Sequence, residues 1–332
     1  HIQSSNGPDT CIIDCESTTR GILFANSENE KTIIEGITIK NGLASDSGGA
    51  IYCDNASPTI IDCTITDSTT TSDYGGGIYL KSSNSVIKDC LITNNSADYG
   101  GGVFCDNASK PTITHCAFSM NKASNHGGGI YSGNGSTVKI TNCRITSNEA
   151  IGYHGGGMYI TDTNATITNC EITKNTATYN GGGVQLRDNT ATIVFNNCTI
   201  ANNTAGDNGG GINVYTSKTT INNTIIWGNV GITAGHQIYM SGTSPTVDMK
   251  YSDSLTSSTN IGGSGALSRS NCINDNPLFV DAVNNSFDLQ SSSPAINKGS
   301  NLLIPSNVTT DLNNAPRIRN AVVDMGAYEY QP

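Results

Sequence analysis

One unit of 25 to 28 residues recurs along most of this chain, and a repeat that short folds only by stacking on its own copies. Its clearest mark is a glycine block followed by an apolar residue. The copies are Gly48-Gly49-Ala50-Ile51, Gly75-Gly76-Gly77-Ile78, Gly100-Gly101-Gly102-Val103 and Gly127-Gly128-Gly129-Ile130. They continue as Gly155-Gly156-Gly157-Met158, Gly181-Gly182-Gly183-Val184 and Gly209-Gly210-Gly211-Ile212, with a degenerate copy at Ile238. A second series keeps the same step: Cys63, Cys90, Cys116, Cys143, Cys170 and Cys198, continued by Thr224, with Gly36 one period upstream.

Inside each repeat the apolar period is two, which predicts strands. Cys90/Ile92 and Cys116/Phe118 are i, i+2 pairs on one wall, and Ile78/Leu80 and Val103/Cys105 form a second. Ile60, Ile87, Ile113, Ile140, Ile167, Phe195 and Ile221, each three before the Cys position, make a third wall one residue wide. No useful length has a helical period. Three short inward-facing segments with turns between them predict an all-β fold. It is a single-stranded right-handed parallel β-helix of about ten coils with three strands each, stacked at about 4.8 Å per coil. The whole chain, 1–332, reads as one domain, with regular coils over 1–240 and irregular final coils plus a C-terminal cap over 241–332.

Two further columns hold the register. Five residues after the Cys position stand Asn95, Asn121, Asn148, Asn175 and Asn203, with Asn41 and Asn229 at the ends. Asn accepts left-handed turn geometry, and stacked amides hydrogen-bond from coil to coil. Two residues on come Ala97, Ala123, Ala150, Ala177 and Ala205, where only a small side chain fits.

These units resemble right-handed parallel β-helix repeat proteins of the pectate-lyase-like superfamily. Gly49-Ala50-Ile51 and Phe118-Ser119-Met120-Asn121 are similar to the short repeats of polymorphic outer-membrane proteins. The tail pieces Asn276-Pro277-Leu278-Phe279-Val280-Asp281, Ser293-Pro294-Ala295-Ile296-Asn297-Lys298-Gly299, Asp311 to Arg317 and Asp324-Met325-Gly326-Ala327-Tyr328-Glu329 resemble a pattern of secreted bacterial β-helix proteins. The resemblance implies the fold and a secreted or cell-surface location. It leaves function open, since the group includes lyases, hydrolases and adhesins. Cys11-Ile12-Ile13-Asp14-Cys15 already reads as coil strand, with no cap before it. An open strand edge there allows end-to-end self-association.

Eleven cysteines suggest disulfides or zinc, but neither spacing fits. Stacked Cys positions carry parallel Cβ vectors, which suit a bridge poorly. The column therefore reads as buried thiols, with bridges left open for Cys11 with Cys15 and for Cys53 or Cys105 with a neighbour; Cys272 is likewise unassigned.

The contact face is expected on an outward stripe. Tyr52, Tyr79, Phe104, Tyr131 and Tyr159 follow the apolar residue of their Gly blocks, and Tyr74, Tyr99, His126 and His154 stand four before it. With the Gly blocks read as a bare trough between these rows, the stripe suits an extended glycan, whose rings stack on aromatics. The competing reading has the aromatics stacking on one another. A lyase or glycoside hydrolase, on an extended and possibly uronate polysaccharide, is the catalytic alternative. Its candidates are Asp73, Asp98, Lys81 and Arg187, with Asp73 and Asp98 as weak Ca²⁺ ligands. Otherwise no metal or cofactor is expected. Seventeen basic residues against 27 acidic ones give a net charge of −10, which argues against nucleic acid. No apolar run approaches the roughly 18 residues of a membrane span. The expected role is non-catalytic: glycan binding, adhesion or a structural layer.

Overall fold

The computed structural model describes residues 1–71, 73–187 and 192–331. They wind as a parallel β-helix whose rungs build four sheets. One coil shows the order: Thr59–Ile61 enters sheet I, Thr64–Thr66 sheet II, Thr69–Thr70 sheet III and Ile78–Lys81 sheet IV. Sheets I, II and IV, of eleven, ten and ten strands, are the three expected walls. Sheet III is a fourth ladder of eight short strands, running along the Ala column, where the sequence pointed only to a turn.

The register follows the columns. Ile60, Ile87, Ile113, Ile140, Ile167, Phe195 and Ile221 are paired rung to rung on sheet I, each fully buried. Sheet II carries Ile65, Ile92, Phe118, Ile145, Ile172 and Ile200 in the same way. One register correction arises at the N-terminal side. Ile39 pairs with Ile65, so the residue beneath Cys63 is Ile37, not Gly36.

The Cys column is buried, and it is more than apolar filler. Each Sγ–H is directed at the carbonyl two residues before it, as from Cys143 to Thr141 at 3.2 Å. Two of the Sγ atoms in turn accept a backbone N–H from the previous rung, Cys116 N to Cys143 Sγ at 3.4 Å and Cys143 N to Cys170 Sγ at 3.5 Å. Thr224 and Ser252 continue the chain with hydroxyls, accepting from Cys198 N and Thr224 N at 3.2 and 3.1 Å. All eleven cysteines are unbridged thiols. The bridges left open by the sequence do not form. Leu80 stands in register between Cys53 and Cys105, which puts the two about 9.6 Å apart, beyond disulfide reach.

The Asn column is an internal amide ladder. Asn95, Asn121, Asn148, Asn175 and Asn203 each receive a backbone N–H and an amide N–H on one Oδ1, from the preceding rung, apart from the first, where Ser68 donates its N–H. Their left-handed geometry was expected at these residues, but it falls one position earlier. Asn94, Met120, Ser147, Lys174 and Asn202 have φ of 55 to 57°, and Asn41 (φ 55°) belongs to that corner, outside the ladder. The ladder side chains are fully buried inside the tube, while the left-handed corner before each makes the bend.

The Gly blocks were expected to floor an open trough. They are buried instead. A Cβ on Gly76 would stand 2.4 Å from the Ser96 carbonyl and 2.6 Å from that of Gly101, so the chain passes here in direct backbone contact with sheet III. The first glycine of each block, such as Gly75 at φ 67°, also makes the turn into sheet IV.

Regular winding continues beyond residue 240. Sheet IV runs to Ile261–Gly263 and sheet I to Ala266–Ser270. The segment from 275 to 331, the later part of the expected C-terminal cap, lies along the outer face of sheet II. It is tied by Arg144 to Asn313 (2.8 Å), Arg317 to Asn169 (3.0 Å), Ala327 N to Thr199 Oγ1 (3.0 Å) and Asn223 to the Ser300 carbonyl (3.0 Å). The reason is apolar surface: Ala201, Ile225 and Trp227 face outward there and need cover, which Phe287, Leu312, Tyr328, Leu289 and Met325 supply. At the other end of the tube Ile2, Ile12 and Leu23 remain 62, 51 and 53% exposed.

Candidate functional site

The outward residues of sheet IV are the aromatic stripe. Tyr52, Tyr79, Phe104, Tyr131 and Tyr159 stack in sequence at centroid distances of 4.9, 5.6, 4.4 and 5.0 Å. The corner row Tyr74, Tyr99, His126 and His154 stacks beside them at 5.5, 5.6 and 5.1 Å. The rows interlock diagonally: Tyr74 meets Phe104 at 4.6 Å, and His126 meets Tyr159 at 4.4 Å.

This interlock corrects the expected accessibility. Tyr79, Phe104 and Tyr159 point away from the tube yet are only 5, 3 and 3% exposed, because the corner row lies over them. Tyr79 also donates its hydroxyl to Asp106 at 2.6 Å, and burial raises its pKa. Tyr52 is held under Arg20, 5.1 Å from the ring centre. Tyr74, Tyr99, Tyr131, His126 and His154 are half-buried.

The histidines carry a second ladder outside the tube. His126 Nδ1 accepts the His154 N–H at 3.3 Å, His154 Nδ1 accepts the Asn180 N–H at 3.2 Å, and Asn180 Oδ1 accepts the Asn208 N–H at 3.1 Å. An accepting Nδ1 requires the neutral ring. Burial pushes His126 down to about 4, helped by His154 and Arg187, and burial and then Arg187 lower His154.

The expected catalytic candidates are not gathered in one place. Lys81 is paired with Asp54 at 3.3 Å. Arg187 shares its column but stands four rungs away, about 19 Å. Asp98 accepts the Ser124 hydroxyl at 2.6 Å, and its backbone N–H donates to the Asp73 carbonyl. Among the described residues no three His, Cys, Asp or Glu side chains converge as metal ligands.

What the geometry does assemble lies where the stripe is interrupted. After Tyr159 the next outward positions of sheet IV are Gln185 and Asn213, and the loss of two rings opens a hollow of about 340 Å³. Amides make its floor: Asn213 Nδ2 donates to Gln185 Oε1 at 2.9 Å, and Asn208 Nδ2 to Asn180 Oδ1 at 3.2 Å. Among the described residues the Oδ1 atoms of Asn208 and Asn213 are buried without a hydrogen-bond partner. His154 and Tyr239 stand at its sides. Arg187, lying 5.3 Å over the ring of Tyr215, separates it from a second hollow of about 620 Å³ bordered by Tyr131, Tyr159 and Asp162. Among the described residues Arg187 has no carboxylate partner. Nearby, Tyr153 and Tyr179 stack at 5.8 Å and are 48 and 45% exposed. Sequence reasoning selected Arg187 and His154 and read Gln185 and Asn213, Asn180 and Asn208 as continuing the two outward rows, but did not count them as contacts and missed Tyr215. The signal was present as the two non-aromatic residues that break the row.

A family model described as "right handed beta helix region" matches residues 2–170 and 123–303. The chain belongs to this right-handed β-helix family. No curated protein matches it in sequence. Among solved structures, that of pectate lyase Pel9A is similar at 15% identity, with a TM-score of 0.50 over 95% of this chain and 98% of the other. At that identity the likeness is one of fold. Among the described residues of this β-helix no helix is long and apolar enough to cross a membrane.

Proposed function

We propose that this β-helix protein is a secreted or cell-surface glycan-binding protein, without catalysis, that holds one stretch of an extended polysaccharide at the break in its aromatic stripe. The observation that carries the reading is the polar hollow at Gln185 and Asn213. It offers a guanidinium, two unpartnered amide acceptors and flanking Tyr rings in one place, the mixture of donors, acceptors and ring faces that sugars use. Adhesion follows from such binding.

A polysaccharide lyase or hydrolase working in the same hollows is the second reading. It is favoured by Asp162 and Arg187 bordering one hollow and by the activity named for the similar solved structure. A glycan array followed by reducing-end and double-bond absorbance assays on the captured glycans separates the two. Binding that is lost in Arg187→Ala at unchanged melting temperature, without product, is the expected result. Product that disappears in Asp162→Asn would transfer the site to the enzymatic reading. An array with no captured glycan would remove both.

A further inference from the structure

Among the described residues six Asp, Glu, Lys or Arg side chains are buried: Glu171, Asp253, Asp311, Arg317, Asp324 and Glu329. All six belong to one seam, between the outer face of sheet II and the segment 275–331. Glu171 lies on sheet II and receives the hydroxyl of Tyr328 from the tail and that of Thr173 at 2.8 Å. Asp253 is on the same face, one rung past Ile225. The other four are the tail's own, clustered around Arg317, whose Nη2 lies 3.0 Å from Glu329 and whose Nη1 donates to Asn169.

The seam therefore buries five carboxyl groups against one guanidinium. Asp311 is well supplied with donors, accepting the N–H groups of Asn313, Ala315 and Glu329 at 2.8 to 2.9 Å. Asp324 accepts those of Asn297 and Tyr330. Asp253 is the opposite case: it is 0% exposed, and among the described residues neither carboxyl oxygen completes a well-formed hydrogen bond, the Asp275 N–H being the one backbone donor near it. A buried carboxylate so poorly supplied is costly, and it is relieved by taking up a proton or by moving into water.

We propose that the C-terminal segment is a proton-sensitive strap: it sits on sheet II while Asp253, Glu329 and the other raised carboxyls of the seam hold protons and loosens as they ionise, baring the apolar flank around Ala201, Ile225 and Trp227. The titration directions agree with the geometry. Burial pushes Glu329 up to about 8, with Asp324 and Asp311 adding to the rise and Arg317 opposing it. Burial pushes Asp253 up to about 7, with the Asp275 charge adding and the Asp275 N–H and Arg269 opposing. Asp324 is raised by burial and Asp311 against the N–H groups of Tyr330 and Asn297 and against Arg317. Glu171 is raised by burial and Asp288 against the two hydroxyls and Arg144. For a raised carboxyl the seated strap holds protons that the released strap gives up. Seating therefore weakens as pH climbs from the ordinary carboxylate range toward about 8.

The chain supplies its own reporter. Trp227 is its single tryptophan, and it packs half-buried under the tail. Acrylamide quenching of its fluorescence, followed from about pH 5.5 to about pH 9 with circular dichroism in parallel, is expected to rise about twofold while the β signal stays constant. Asp253→Asn and Glu329→Gln are expected to move that rise to higher pH. Flat quenching, or a rise that both variants leave in place, would overturn the strap. So would restoration of protection at about pH 9 by millimolar Ca²⁺, because the seam would then be a cation site. Hydrogen exchange of the wild-type chain covers the case of variants that fail to fold. Protection of the 311–329 amides must fall relative to that of the Asn121 and Asn148 amides, and parallel behaviour of the two sets would refute the proposal.

Discussion

Asn121 gives both its backbone N–H and its side-chain N–H to a single atom, the Oδ1 of Asn148, at 3.1 and 2.9 Å. Asn148 repeats the arrangement toward Asn175 and also donates to the Phe118 carbonyl at 3.0 Å. The ladder closes at Asn229, whose amide meets Gln237 at 2.8 Å.

Removing one rung strands partners on both sides. Asn148→Ala leaves the two Asn121 donors buried without their acceptor and takes one donor from the Phe118 carbonyl, and each stranded donor costs about 1–3 kcal/mol. A loss of about 2–4 kcal/mol in urea unfolding is expected, with some relief from rearrangement. A loss below about 1 kcal/mol would show that the ladder contributes register without stability.

The thiol column distinguishes shape from hydrogen bonding. Cys143→Ser keeps an acceptor for Cys116 N–H, as Thr224 and Ser252 do further along, and is expected to cost about 1 kcal/mol or less. Cys143→Val fills similar space but strands that N–H, and about 2 kcal/mol is expected, again by urea unfolding. A Val variant as stable as the Ser variant would reduce the column to apolar packing.

Acid should loosen the aromatic flank. His126 lies below its unfolded value, so the unfolded chain binds the extra proton first. Stability is full above about pH 6.5 and declines as pH falls toward about 4. Fully buried, the shift would amount to about 3 kcal/mol, and the half-exposed ring reduces this to about 1–2 kcal/mol. His126→Asn keeps an acceptor, as Asn180 does in the same column, and is expected to flatten that part of the pH profile. Thermal unfolding of the two proteins between about pH 4 and about pH 7 checks this. Equal acid slopes would clear the histidine of the effect.

Tyr79 and Arg187 separate scaffold from contact. Tyr79→Ser removes a ring stacked on both neighbours together with the hydroxyl on Asp106. A cost of about 3 kcal/mol is expected, with glycan affinity unchanged once the protein is folded. Arg187→Ala is expected to lower affinity about tenfold or more with melting unchanged, since its side chain lies on the exposed face of Tyr215. The reverse pattern, Tyr79 controlling affinity and Arg187 stability, would move the contact face back to the stripe.

The winding was legible because every column repeats. Ile60 to Ile221, Cys63 to Cys198 and Ala97 to Ala205 each fix the same register, and the pairing on sheets I and II follows it. What lay over a strand was not legible. Period two places Phe104 on the outer side of sheet IV, but whether Tyr74 covers it depends on how the glycine corner bends. The tail could not be placed for a similar reason. Its position depends on single contacts such as Tyr328 with Glu171, 157 residues apart, and on no repeated signal. The hollow was readable only as two exceptions, Gln185 and Asn213, in a row that reads as aromatic.

The interruption at Gln185 has a consequence for how a long polymer would be read. A face that presents the same group at each step gives a sliding chain many equivalent resting places and no preferred one. Two consecutive positions of different chemistry end that degeneracy. They turn a uniform track into an address, so that a bound strand would be stopped at one point along the axis of the tube.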